Sequence, residues 1–182
     1  MSPHSLDWAR DGSDWPNREA SLFVRAAGLK WHVQRAGAGP TILLIHGTAA
    51  STHSWRDLFP ILARDFDVIA PDLPGHGFTA QPRRAALTLP AMAAGLGELL
   101  AALGEEAEIL VGHSAGAAIA AEMALAGRAR PRAVVSFNGA FTPFRGVAGQ
   151  LFPPMAKILS ANPFVPRAFA WGLDKAAVNG LL

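Results

Sequence analysis

The stretch Ala107-Glu108-Ile109-Leu110-Val111-Gly112-His113-Ser114-Ala115-Gly116-Ala117-Ala118-Ile119 decides the fold. It opens as a short apolar run, turns sharply at Gly112-His113-Ser114-Ala115-Gly116 and continues into an alanine-rich segment of strong helical preference. G-x-S-x-G alone says little in a chain with 18 glycines. With a strand before it and a helix after it, the same pattern reads as a nucleophile elbow. Gly112 and Gly116 are then required because a Cβ at either place would crowd the neighbouring backbone. Ser114 is expected in a strained conformation that points its hydroxyl out of the sheet, and the amide of Ala115 opens a helix N-terminus suited to an anion.

Outward from the elbow the chain alternates strand and helix. Thr41-Ile42-Leu43-Leu44-Ile45 is a continuous apolar run, the pattern of a central parallel strand, and it ends in His46-Gly47-Thr48. Ser54 with Asp57 three residues on predicts a helix carrying Trp55, Leu58, Phe59 and Leu62 on one face, although Pro60 interrupts it. Asp67-Val68-Ile69-Ala70 predicts a strand running into Pro71-Asp72-Leu73-Pro74-Gly75-His76-Gly77. A helix from about Thr88-Leu89-Pro90 to Gly104 precedes the elbow strand, and Ala133-Val134-Val135-Ser136-Phe137 predicts one strand more. Before all of these, residues 21–26 and 29–35 read as an antiparallel hairpin turning at Ala27-Gly28, with Leu29, Trp31 and Val33 alternating with Lys30, His32 and Gln34 as a half-buried strand. The expected fold is α/β: a mostly parallel sheet with an N-terminal antiparallel hairpin. Residues 1–20 form an irregular arm whose Trp8 and Trp15 pack on the domain, residues 21–143 the core, and residues 144–182 the start of a helical lid. Phe141, Leu151, Phe152 and Met155 are expected to line a substrate pocket beneath that lid.

Composition narrows the function. Of 182 residues 51% are hydrophobic and 16% charged, which excludes disorder. The net charge is +2 with Lys and Arg scattered, so no basic face for nucleic acid is expected. The chain has no cysteine, which rules out disulfides and thiolate metal sites. The first 21 residues lack an apolar signal region and no apolar run reaches membrane length, so the expected location is the cytoplasm. No cofactor and no metal site are expected.

Acyl transfer on such a scaffold needs a nucleophile, two oxyanion donors, a base and an acid to orient it. Ser114 is the candidate nucleophile, and the backbone amides of Ala115 and Thr48 are the candidate oxyanion donors. His46, Gly47, Gly112, His113 and Gly116 support these motifs. The base and the acid, which follow the serine in this arrangement, are missing: none of the six histidines lies after Ser114. His46 and His113 flank the site, but both are expected to brace local backbone. The expectation is a C-terminally truncated chain whose final strands would bring the acid and the histidine.

Ile42-Leu43-Leu44-Ile45-His46-Gly47, the segment 71–77 and Gly112-His113-Ser114-Ala115-Gly116 resemble the α/β-hydrolase superfamily. A narrower resemblance is carried by Asp14-Trp15-Pro16-Asn17-Arg18-Glu19-Ala20-Ser21, by Trp31-His32-Val33-Gln34, by residues 46–58, by Asn138-Gly139-Ala140 and by Asn162-Pro163-Phe164-Val165-Pro166-Arg167. These look like the magnesium-chelatase accessory proteins of bacteriochlorophyll biosynthesis. The resemblance implies a role near magnesium insertion into protoporphyrin, with chelatase subunits as partners. Two functions follow: a serine hydrolase acting on an ester or similar acyl bond, or a non-catalytic accessory protein that holds an apolar tetrapyrrole-like molecule or docks on the chelatase.

Overall fold

The computed structural model describes residues 6–82 and 87–139. The apolar run Thr41–Ile45 becomes β3 and Asp67–Pro71 becomes β4, both buried at every position. Strands of this kind lie inside a sheet covered on both faces, so their sequences need no alternation. Ahead of them Ser21–Ala26 (β1) and Leu29–Ala36 (β2) pair antiparallel, in register from Ser21 opposite Gln34 to Ala26 opposite Leu29. Ala27 and Gly28 make the turn with φ of 50° and 71°, the two left-handed positions of a type I′ hairpin. With Ile109–His113 (β5) and Ala133–Phe137 (β6), the described residues form six strands in the order β1-β2-β4-β3-β5-β6. The last four of that order are mutually parallel, and β2 joins them antiparallel to β4.

Alternate residues of β3 feed two cores, as the pleat requires. Leu43 and Ile45 pack with Leu96 and Leu99 of α3 (Leu89–Leu103) and with Ile119 and Met123 of α4 (Ala115–Leu125). Ile42 and Leu44 face the other way, beneath Trp55 and Phe59. The limits of α3 follow its end signals: Thr88 precedes it, Pro90 sits in its first turn and Gly104 closes it at φ 73°. Among the described residues β6 is an edge strand, and all five of its residues are exposed.

Two local expectations are overturned. The helix predicted from Ser54 is instead a 3-10 turn, Thr52–Trp55, followed by the short α2, Leu58–Leu62. Ser51, not Ser54, caps the turn, and Asp57 makes no capping hydrogen bond. A helix begun at residue 54 would place Pro60, which has no N–H, in its interior; starting α2 at Leu58 leaves that proline in the first turn, where it is tolerated. The second correction concerns β2, which is buried on both faces rather than one: His32 and Gln34 are as inaccessible as Trp31 and Val33. The arm is the reason. It forms α1 (Trp8–Asp11) and a 3-10 turn (Arg18–Ala20), and its tryptophans lie over that polar face. The lid segment and the pocket residues Phe141, Leu151, Phe152 and Met155 lie outside the described residues.

Candidate active site

β5 ends at His113 and α4 begins at Ala115, leaving Ser114 alone in the turn at φ 52° and ψ −117°. A non-glycine residue held there costs about 1–3 kcal/mol and persists only where its surroundings enforce it. Here the Ser114 N–H donates to the Phe137 carbonyl at 3.0 Å, and the Ala117 N–H donates to the Ser114 carbonyl at 3.1 Å. Close approach does the rest. A Cβ on Gly116 would stand 2.1 Å from the Ile45 carbonyl oxygen, and one on Gly112 would stand 2.4 Å from the Cα of Ala117. The helix therefore starts hard against the ends of β3 and β5. Ala115 is its first residue, so no helical carbonyl receives its amide.

The loop after β3 passes directly beside the serine. A Cβ on Gly47 would lie 3.1 Å from the Ser114 Cβ and 3.3 Å from the His113 ring. Thr48, the next residue, is exposed, and none of the described turn hydrogen bonds uses its amide. His46 is fully buried at the head of this loop. Its Nδ1 lies 2.7 Å from the Gly47 carbonyl, which can only accept, while its Nε2 accepts the Leu73 N–H at 2.9 Å. Those partners fix one tautomer of a neutral ring. Burial pushes its pKa down to about 4, against the smaller upward pull of the Gly47 carbonyl and of Asp72. With both nitrogens occupied, His46 has no lone pair for a proton from Ser114 or for a metal. Its two hydrogen bonds tie the Gly47 loop to the segment after β4. His113 is exposed at the end of β5, and among the described residues no hydrogen bond joins a histidine ring to the Ser114 hydroxyl.

A second cluster, unanticipated from the sequence, lies behind the loop. Asp72 is fully buried. Its carboxylate accepts the Thr52 N–H at 2.7 Å, the His32 Nδ1–H at 2.8 Å and the Phe78 N–H at 2.9 Å. Burial alone would raise its pKa, but the His32 hydrogen bond and charge, with the two amides, outweigh that and hold it below the ordinary carboxylate value. The Ser21 hydroxyl lies 3.0 Å from His32 Nε2, and the rings of Trp8, Trp15, Phe23 and Phe78 surround the imidazole. The available signal was two tryptophans in an arm without periodicity, which need something to cover, and two polar residues on the only face left to them.

Beside the elbow a shallow cleft of about 280 Å³ is lined by Ser54, Trp55, Leu58, His113 and Phe137. A larger hollow of about 470 Å³, bordered by Gly104, Glu105 and Arg128, lies at the opposite end of the sheet, where β5 begins.

The sequence profile of the alpha/beta hydrolase fold family matches residues 40–178. The chain is 40% identical over its whole length to the magnesium-chelatase 30 kDa subunit of Rhodobacter capsulatus, and spans 63% of that protein. It is 31% identical to the 2-hydroxy-6-oxo-2,4-heptadienoate hydrolase of Pseudomonas putida over 82% of this chain and 54% of that one. Among solved structures, a meta-cleavage product hydrolase superposes with a TM-score of 0.65 at 30% identity, covering 70% of this chain and 48% of the other. An epoxide hydrolase from Vigna radiata gives 0.63 at 28% identity, covering 76% and 43%. The strand-turn-helix at Ser114, the glycine loop pressed against it and the profile match over most of the chain have one explanation: the chain belongs to the α/β-hydrolase family.

Proposed function

We propose that this protein is a serine hydrolase of ester or similar acyl bonds, with Ser114 as nucleophile and the amides of Thr48 and Ala115 as oxyanion donors. One observation carries the reading: Ser114 is held at φ 52° and ψ −117° between a helix N-terminus and the Gly47 loop. A structural serine has no need of that strain. In the reaction Ser114 Oγ adds to the acyl carbonyl carbon while its proton passes to a base, and the carbonyl oxygen takes the negative charge. Each amide aimed at that oxygen is worth about 3–4 kcal/mol in the transition state. The base is not His46, whose nitrogens are both committed. The chain spans 63% of its 30 kDa-subunit relative, and we assign the base and the acid to no described residue.

A second reading rests on that same relative. The 40% identity runs through the arm as well as the core, which favours a role beside a magnesium chelatase, holding a tetrapyrrole-like apolar molecule or docking on a chelatase subunit without hydrolysis. A fluorophosphonate probe separates the two. The protein expressed from the full reading frame should be labelled at Ser114, and Ser114→Ala should abolish labelling. An unlabelled wild type, with pigment synthesis undiminished by Ser114→Ala in a bacteriochlorophyll-making host, would leave the accessory role standing alone.

A further inference from the structure

The loop that carries Gly47 and Thr48 is tied down at both ends, and both ties lead to the segment after β4. At its head His46 bridges the Gly47 carbonyl to the Leu73 amide. At its foot the Thr52 amide is bound by Asp72. Between the two stands Ala49, a non-glycine residue at φ 58°, inside a turn closed by the Ala50 N–H donating to the Gly47 carbonyl at 3.3 Å.

A third set of contacts reaches the foot of the loop from the N-terminal arm. The Trp15 indole N–H donates to Thr52 Oγ1 at 3.0 Å, so main chain and side chain of Thr52 are both committed. The Trp15 ring stands edge-on to His53 at 5.5 Å. The Asn17 amide donates to the Arg56 carbonyl at 3.0 Å. Contacts at residues 52, 53 and 56 grip the whole 3-10 turn into which the loop runs. The arm is anchored in its turn by Gln34, whose side-chain N–H donates to the carbonyls of Pro16 at 2.6 Å and Asn17 at 3.2 Å. It is anchored again by the packing of Trp8 and Trp15 around His32, the partner of Asp72.

We propose that the arm is a clamp on the oxyanion loop, and that Trp15 is a positioning residue acting through Thr52 on the amide of Thr48. This rests on the reading of Thr48 as an oxyanion donor. A covering arm needs only apolar contact. This one spends its directional hydrogen bonds on the turn that fixes the loop.

The test uses Trp15→Phe in the protein from the full reading frame, because phenylalanine keeps an aromatic ring toward His32 and Phe78 while it removes the N–H, and Thr52→Val separates that loss from the lost indole packing. Hydrogen exchange at residues 47–52 should accelerate about tenfold while β3 and β5 stay as protected as in the wild type. The maximal rate of fluorophosphonate labelling at Ser114 should fall about tenfold with the half-saturating probe concentration unchanged, a fraction of the effect of losing a donor outright. Thr52→Val removes the acceptor at the other end of the bond and should reproduce both changes. The double variant should be no worse than either single one. Trp8→Phe, which touches the cage but not Thr52, should leave residues 47–52 unaltered. Unchanged exchange at residues 47–52 in Trp15→Phe and Thr52→Val overturns the clamp, and so does exchange that rises equally throughout the chain. Local acceleration with no labelling of the wild type upholds the clamp and defeats the hydrolase reading instead.

Discussion

At Ser114 the backbone is set against the preference of its own side chain. The torsions of 52° and −117° suit glycine and burden any residue with a Cβ. Ser114→Gly should therefore be more stable than Ser114→Ala by about 1 kcal/mol in urea unfolding, while neither is labelled. Equal stabilities would show that the turn carries no strain. His46 makes a different prediction, in pH. Its pKa is about 4 in the fold against an ordinary 6.5, chiefly because burial disfavours the cation. Between those values the unfolded chain binds a proton that the native chain does not. Stability is thus undiminished above pH 6.5 and falls as the pH drops toward 4, by up to about 3 kcal/mol. Asp72, whose pKa is held below 3.8, keeps its contribution down to that value and adds no slope in this window. His46→Gln, which cannot titrate, should flatten the dependence of the urea midpoint between pH 7 and pH 5, whatever its stability at pH 7. A slope equal to that of the wild type would assign the effect to another group.

Among the elements, those that follow a local rule were readable from the sequence. β3 and β5 are short apolar runs, and α3 begins and ends at its own Thr88 and Gly104 signals. The elbow was readable because its two glycines are demanded by contacts with residues close in sequence or on the neighbouring strand. β2 was not. His32 and Gln34 alternate with apolar residues as on a solvent face, yet the arm buries them, and no period in β2 reports a cover supplied by Trp8 and Trp15. The His32–Asp72 contact joins residues 40 apart, which no local pattern encodes. The 3-10 turn and short α2 depart from the capping pattern at Ser54 because Pro60, six residues on, has no N–H to give a helix interior. The hairpin turn also leaves room for improvement. Ala27 holds φ 50° with its side chain exposed, where asparagine is the preferred partner of a following glycine. Ala27→Asn should raise stability by about 0.5–1 kcal/mol in thermal or urea unfolding. A loss would mean that the Ala27 methyl packs more usefully than its exposure suggests.

Taken as a whole, the described sheet has two unlike ends. At the β1 end the hairpin lies under the arm and against α3. At the other end β6 is the edge strand among the described residues, and Val134, Val135 and Phe137 are 44%, 40% and 46% exposed. A strand of β-branched and aromatic residues with one unpaired row of amides and carbonyls is a template for another strand. The strand itself, Ala-Val-Val-Ser-Phe, carries no charge. The 182-residue chain is therefore expected to self-associate, its weight-average mass in sedimentation equilibrium rising with concentration in the micromolar range. Val135→Lys places a charge where natural edges carry one and should keep the chain monomeric. Because the valine is already well exposed, this change should alter unfolding free energy by no more than about 0.5 kcal/mol, so restored monomer cannot be ascribed to a different fold stability. A Val135→Lys chain that still associates as the wild type does would move the adhesive surface elsewhere.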